Sequence, residues 1–528
     1  MIVAILIIFA ATMTFSSTSR AADELVVSYV YNSEPSQGFD SLHDWGCGDV
    51  NREPLIQSTL FKTGADGNLT NDLATNYSVS SDGLTWTVNI RKSVKFSDNT
   101  SLTAKDVAFT FNEAKVSNSK LDMTNLKNAT AVDNNTVVFK LNKTDSTFIW
   151  KLRYLGIVPE ASYNNETYGE HPIGSGPYKL VQWDKGQQAI FEYNENYYGK
   201  EPYFKKITIL FSKPDSSLAA VKTGQSDIGE VDVINADQNV DGYRLVNLSA
   251  GMAHGISFPM INDTGEKTEA GKIIGNNVTS DLAIRKALNI ALNRSKIVKE
   301  VFKGYGAVEY TGVDQQDYGN PDAKINDSNI EAAKKILENG GWKDTDGDGI
   351  LEKNGQNASF KLYYYSNDQT RQSLATVVAE QAQKIGINIE LVGADWDTIY
   401  ANQYNSACLY RQGAPNPYYS VYSQYHSKTL DDNYLNPGAY NSSIVDNYLD
   451  NALSSQNLSH ANKLWQKAAY DGNTGFGPAG DAPWLWIATV DSLYQVKDNI
   501  DIGTPPKGRG TDLFINVLDW KRTGGTSS

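Results

Sequence analysis

Asp344, Asp346 and Asp348 alternate with Thr345 and Gly347, and Gly349 follows. A calcium loop offers carboxylates in that rhythm, at its positions 1, 3 and 5, with glycine at 6. The bidentate glutamate that belongs at position 12 is missing: Gly355 stands there, and Glu352 stands at 9. Two readings remain, a polar turn between a helix and a strand or a weak structural calcium site, and neither is catalytic. A second stretch, Leu409 to His426, gathers Tyr410, Tyr418, Tyr419, Tyr422 and Tyr425 with Arg411 and Asn416. Tyrosine rings can wall a pocket, and a guanidinium grips a carboxylate through two parallel N–H bonds. The plainer alternative is that the tyrosines pack a core.

Other chemistries are poorly served. The chain has 528 residues, 47 basic against 61 acidic, and a formal charge of −14. No Lys/Arg run supplies the basic face that a nucleic-acid partner requires. Two cysteines and five histidines leave no disulfide scaffold, iron–sulfur cluster or Cys-rich zinc module. The sequence contains neither H-E-x-x-H nor G-x-S-x-G, and no phosphate loop. No cofactor is expected. An exported hydrolase with paired carboxylates is the rival enzyme class, and a structural cell-envelope component is the other rival.

Met1 to Phe15 is strongly apolar but shorter than the roughly twenty residues a spanning helix needs. Ser19 and Ala21 place small residues at −3 and −1 of a cut after Ala21, so residues 1–21 read as a signal peptide. The basic residues that should precede the run are absent, which leaves an uncleaved anchor as the alternative. Fifteen Asn-x-Ser/Thr sequons fit an exported surface, and a chain rich in Asn, Ser and Thr also makes sequons by chance.

The elements that must position these residues come in two styles. Leu25 to Val30, Leu84 to Ile90, Thr136 to Leu141, and 178–183, 189–193 and 206–211 read as strands. Thr103 and Asp106 form the ends of a capping-box variant that opens a helix. Later segments are helical: Asp281 to Tyr305, Asn329 to Asn339 and Gln372 to Lys384. Leu282, Ile284, Leu288, Ala291, Leu292 and Ile297 make an apolar stripe on the first of these. Strands 360–365 and 387–392 flank the last helix, so a parallel β-α-β unit is predicted. A chain of this length needs two or three lobes, and mixed α/β lobes around a cleft suit a bound ligand.

Four segments, in order, resemble family 5 extracellular solute-binding proteins, the oligopeptide, dipeptide and nickel-complex receptors of ABC importers. The first is Leu84-Thr-Trp-Thr-Val-Asn-Ile90 through Asn99, with Leu102-Thr-Ala-Lys-Asp106 behind it. The second is Pro172-Ile-Gly-Ser-Gly-Pro-Tyr178, followed by Trp183 and Tyr193-Asn-Glu-Asn-Tyr-Tyr-Gly199. Gly224-Gln-Ser-Asp-Ile228 is the third, and Asp281 to Arg294 the fourth. The resemblance implies an α/β, two-lobed Venus-flytrap fold with an extra subdomain. Lobe I would combine 22–55, 170–275 and 485–522; the subdomain would be 56–169, lobe II 276–484, and 523–528 a polar tail.

It also implies the mechanism: a monomer closes on a small solute, a peptide first and a nickel or other metal complex second, and docks on a membrane permease. Ligand contacts are implied for Tyr410, Arg411, Asn416 and Tyr419, and Asn416-Pro417 stands where peptide receptors commonly carry Asp-Pro. A neutral amide there loses the charge assistance that an acid would give to an α-amino group. Arg153 lies near the place of a cleft-facing arginine, and Trp45 follows the opening strand on lobe I. His426 would serve a nickel reading. Trp486 shares a face with Trp484 at a spacing of two, reaching either the cleft or the core. Cys47 and Cys408 are expected to be two separate thiols rather than a bridge across the cleft.

Overall fold

In the computed structural model the described residues are 21–30, 34–43, 45, 55–64, 68–117, 119, 121–413, 415–431, 435–504 and 512–524, without the side chains of 249–251. Residues 1–20, which are most of the segment read as a signal peptide, Cys47 and the last four residues of the tail lie outside them.

Two long strands, Tyr243–Ser257 and Trp484–Lys497, run antiparallel through the middle of an eleven-stranded sheet. Their ladder pairs Tyr243 with Lys497 through to Leu248 with Ser492, then resumes at Met252 with Val490 and ends at Ser257 with Trp484. At one end the second strand takes Ile228–Val231 as its next neighbour, and Glu24–Tyr29, Lys206–Phe211, Gln188–Tyr193 and Tyr178–Asp184 follow outward. This end is lobe I. At the other end the first strand takes Ala407–Gln412, then Ser359–Tyr365 and Asn388–Ala394, and this end is lobe II. Both crossing strands therefore belong to both lobes.

Hydrophobic patterning explains why each end is a separate core. In lobe I, Leu25, Val27, Ile207, Ile209 and Phe191 alternate inward from neighbouring strands and meet Tyr494 and Val496 of the crossing strand. In lobe II the stripe on helix Leu282–Ala291 packs with Leu362, Leu374 and Leu409. Ser359–Tyr365 and Asn388–Ala394 are parallel across helix Gln369–Gln383, as the β-α-β pattern predicts. The helix predicted over Asp281 to Tyr305 is instead two, Leu282–Ala291 and Arg294–Glu300. Leu292 is extended, and the Asn293 side chain accepts from Lys296 N, a cap that starts the second helix.

A third core fills the subdomain. Its four strands are ordered Ala74–Val79, Thr85–Ile90, Thr136–Leu141, Leu126–Ala131, and helix Ala104–Val116 lies over them. The helix opens with the capping box expected at Thr103 and Asp106. Trp86, Val88, Phe111, Val137 and Phe139 are buried between sheet and helix.

Close packing sets limits on the crossing strands. A Cβ on Gly255 would lie 2.5 Å from the Trp486 ring, so only glycine lets the indole lie flat there. Its neighbour His254 is 4% exposed. Burial holds the His254 pKa well below its ordinary value, and Arg371 and Arg411 push the same way, against a hydrogen bond with the Met252 backbone. His254 Nδ1 has no hydrogen-bond partner among the described residues. The unfolded chain protonates this imidazole near pH 6.5 and the folded chain does so only well below. Stability is thus full above about pH 6.5 and is lost as pH falls beneath it, by up to about 1.4 kcal/mol per pH unit. His254→Gln is expected to flatten that fall between pH 7 and 5, read as the urea midpoint against pH. Equal slopes in the two proteins would contradict the assignment.

Candidate functional site

The subdomain and lobe II meet along a seam that crosses the cleft, and the predicted residues divide according to whether they reach it. On the subdomain side, Asp145 Oδ1 accepts from Thr147 N and Thr147 Oγ1 at 2.9 and 2.7 Å, turning the chain into helix Phe148–Tyr154. That helix presents Lys151, which is buried, 3.6 Å from Asp145 and 5.9 Å from the centre of the Tyr418 ring. Arg153, two residues on, is also buried. Its Nε donates to Thr63 Oγ1 at 3.0 Å and its guanidinium lies 4.9 Å from the Tyr154 ring centre.

On the lobe II side, Asn416 is fully buried and shapes the approach. Its Oδ1 accepts from Tyr418 N at 2.9 Å, and its carbonyl accepts from the amides of Tyr419 and Ser420. This starts a widened helical turn over Tyr418–Tyr422 that continues into Ser423–Tyr425. The turn delivers half-buried Tyr418 and Tyr419 to the subdomain. Tyr419 has its pKa raised, by burial first and then by the charge of Asp122, whose backbone hydrogen-bonds its hydroxyl. Burial also works to raise the Asp122 pKa, but attraction to Lys151 and hydrogen bonds from Thr124 outweigh it and the net direction is down. Asp122, Lys151 and Tyr154 thus stand on one side of the seam, and Tyr418 and Tyr419 on the other, with Arg153 behind Tyr154 in the subdomain.

A second stretch of the seam is backbone-mediated. Ser146 donates its amide to Leu453 O at 2.8 Å and its hydroxyl to Ala452 O at 2.9 Å. These are carbonyls at the end of helix Ser443–Leu453, where intrahelical donors run out; that of Ala452 also accepts from Ser455 N at 3.2 Å. Beside this contact lies a cavity of about 370 Å³ bounded by Tyr77, Trp86 and Thr144 on one side and Gln456, Asn457 and Leu458 on the other.

The remaining candidates sit elsewhere. Tyr410 is buried, donates to Gln403 Oε1 at 3.1 Å, and stacks with Trp396 and Tyr400. Trp486 lies flat on Trp484, ring centres 4.5 Å apart, and donates from Nε1 to Tyr425 Oη at 3.0 Å. Both tryptophans are therefore in the lobe II core. His426 is buried, with Nε2 3.1 Å from Asp450 Oδ1 and Nδ1 accepting from Lys428 N, so both ring nitrogens are taken up within the protein. Trp45 packs edge-on to Phe39 in the lobe I core. Arg411 is half-buried on the strand that pairs with His254. Cys408 is a buried free thiol whose pKa burial pushes up to about 12.

Asp344, Asp346, Asp348 and Glu352 do converge, each offering an oxygen within 4.8 Å of the others, far from the seam in sequence and largely exposed. Much of their capacity is internal. Asp344 accepts from the amides of Gly347 and Gly349, and Glu352 Oε2 accepts from the amide and hydroxyl of Thr345. The residues missed from sequence are Asp122, Ser146, Lys151 and Tyr154. The run Asp145-Ser-Thr147 ahead of apolar Phe148 was their available signal, a helix start on the subdomain.

Residues 68–433 match the model of the bacterial extracellular solute-binding proteins, family 5. The chain belongs to that family. It is a substrate-binding receptor of an ABC importer, built on the two-lobed fold of periplasmic binding proteins. It is 33% identical over 393 residues to the oligopeptide-binding protein AppA of Bacillus subtilis, covering 71% of this chain and 70% of that one. The structure of AppA in complex with a nonapeptide superposes with a TM-score of 0.70 at 24% identity, over 95% of this chain and 99% of the other. NikZ from Campylobacter jejuni in complex with Ni(L-His) superposes with a TM-score of 0.77 at 23% identity, over 95% and 100%.

Ser146→Ala removes one of the two bonds by which the subdomain holds helix Ser443–Leu453. The expected cost to the closed state is about 1 kcal/mol, a fall of about fivefold in cargo affinity. Calorimetric titration checks it, and an unchanged affinity would mean that the seam is not part of closure.

Proposed function

We propose that this receptor captures peptides between its lobes and hands them to a membrane permease. The observation that carries the reading is the meeting of Lys151 with Tyr418, and of Asp122 and Tyr154 with Tyr419, across the seam, with the Arg153 guanidinium beside Tyr154 on the subdomain. A peptide supplies what those groups take: a carboxylate for the guanidinium, and side chains and amides for the tyrosine faces and hydroxyls. Arg153 and Tyr419 are the contacts of first choice, with Arg411 behind them, and Trp45 serves by packing the lobe I core. Asn416 serves by positioning, because its oxygen is already committed to Tyr418 N. Tyr410 and Trp486 serve by bracing lobe II. The relation to an oligopeptide-binding protein supports the same cargo class. A metal complex has less support, since His426 has no nitrogen to spare.

The lobe assignment of 22–55, 170–275 and 485–522 against 276–484, with 56–169 as the added subdomain, is part of this proposal, except that Ala253–Ser257 and Leu485–Ala488 of the crossing strands pack with lobe II. So are export through residues 1–21, residence in the periplasm or at the cell surface, and action as a monomer. The family is extracellular, and among the described residues no helix is long and apolar enough to cross a membrane.

Native mass spectrometry of protein purified without chelators tests the cargo. A peptide-sized adduct free of metal is expected; stoichiometric nickel would overturn the reading. With a bound peptide in hand, Arg153→Ala is expected to weaken binding at least tenfold, about 1.4 kcal/mol, and Arg153→Lys to recover part of it. Equal affinities for all three proteins would remove Arg153 from the site.

A further inference from the structure

The fifteen Asn-x-Ser/Thr sequons are more than composition provides. The chain has 47 Asn and 78 Ser plus Thr among 528 residues, and random placement of those residues would give about seven sequons. Seven of the fifteen fall within residues 56–169. The fold keeps them accessible: thirteen of the fifteen acceptor asparagines are exposed, and Asn128 and Asn293 are half-buried.

Exposure alone does not make an acceptor, because many of these amides are already engaged. Asn293 and Asn457 cap helices through Oδ1, accepting from Lys296 N and His460 N. Asn457 also lines the cavity at the seam, where an attached sugar would stand between subdomain and lobe II. Of the acceptors with neither constraint, four also lie outside helix and strand. Asn134 lies in the turn between strands Leu126–Ala131 and Thr136–Leu141, and Asn165 in the long turn after helix Phe148–Tyr154. Asn326 lies in the loop before helix Ile330–Asn339, and Asn441 just before helix Ser443–Leu453. All four are exposed, sit outside helix and strand, and their side chains carry no hydrogen bond among the described residues.

We propose that Asn134, Asn165, Asn326 and Asn441 are sites of N-linked glycosylation on the exported receptor. The donor is an oligosaccharide linked through phosphate to a membrane lipid. The Asn Nδ2 forms a bond to C1 of the first sugar, the bond from C1 to the phosphate oxygen breaks, and the lipid phosphate leaves as one amide proton is lost. No oxidant or reductant is needed. The sugars then lie on turns of the subdomain and of lobe II while the seam stays bare.

The test is the mass of the protein recovered from the envelope of its own cells, intact and as peptides. The intact mass is expected to exceed the polypeptide's by whole multiples of one oligosaccharide, with sugar on the four named peptides and none on the peptide of Asn457. Asn134→Gln is expected to lower the intact mass by one oligosaccharide and leave cargo affinity unchanged. Recovery of the four peptides with unmodified asparagine would overturn the proposal. Sugar on Asn457 in place of the four would overturn the selection by fold.

Discussion

The pairing of Tyr243–Ser257 with Trp484–Lys497 is the constraint on which the molecule depends. Because both strands pass from one lobe into the other, every strand of the eleven-stranded sheet is tied to them directly or through its neighbours. The ladder is not uniform. Its register shifts between Leu248 and Met252, opposite Val490–Ser492, at the point where the partners change from lobe I strands to lobe II strands. A ladder already interrupted there can absorb a rotation without giving up intact pairs, each worth about 1 kcal/mol net. Rotation about two strands is hinge motion, and closure of two lobes over a ligand is what such a hinge permits.

The seam gives closure something to gain besides the ligand. Lys151 and Asp122 on the subdomain face the tyrosines of lobe II, and Ser146 satisfies carbonyls that end a lobe II helix. Each contact is modest. Their sum brings the closed form within reach of a ligand that binds it only a few kcal/mol better than the open one. The buried arginines of lobe II do different work. Arg294 donates to Asn289, Glu309 and Trp486 and pairs with Asp327, which locks helix, loop and crossing strand into one body. A hinge between stiff bodies transmits the ligand's free energy instead of dissipating it in local bending.

Much of this was legible in the sequence, and the reasons are physical. Strand 206–211, the Thr103 capping box, the stripe on helix Leu282–Ala291 and the parallel β-α-β unit all follow from local periodicity and end chemistry, which survive in the fold, except that Leu282, expected on the stripe, is exposed at the helix start. The stacking of Trp484 on Trp486 follows from the period of two along a strand. What escaped was long-range. Tyr243–Ser257 carries Arg244, Asn247 and His254, so it does not read as the centre of a sheet, yet from Ala253 to Ser257 it is paired on both sides and buried. The grouping of Asp122, Lys151 and Arg153 with Tyr418 and Tyr419 joins positions almost three hundred residues apart, and no spacing rule reaches that far. The aromatic run from Tyr410 to Tyr425 was visible as a cluster, but its division between core and seam depends on the turn that Asn416 imposes.

Small-angle scattering of the receptor, first stripped of cargo by unfolding and refolding and then saturated with a bound peptide, tests hinge closure most directly. The account predicts a smaller radius of gyration in the saturated protein, with one equivalent of peptide completing the change. Saturation at one equivalent with an unchanged radius would show that the lobes do not close on their ligand, and would contradict the account.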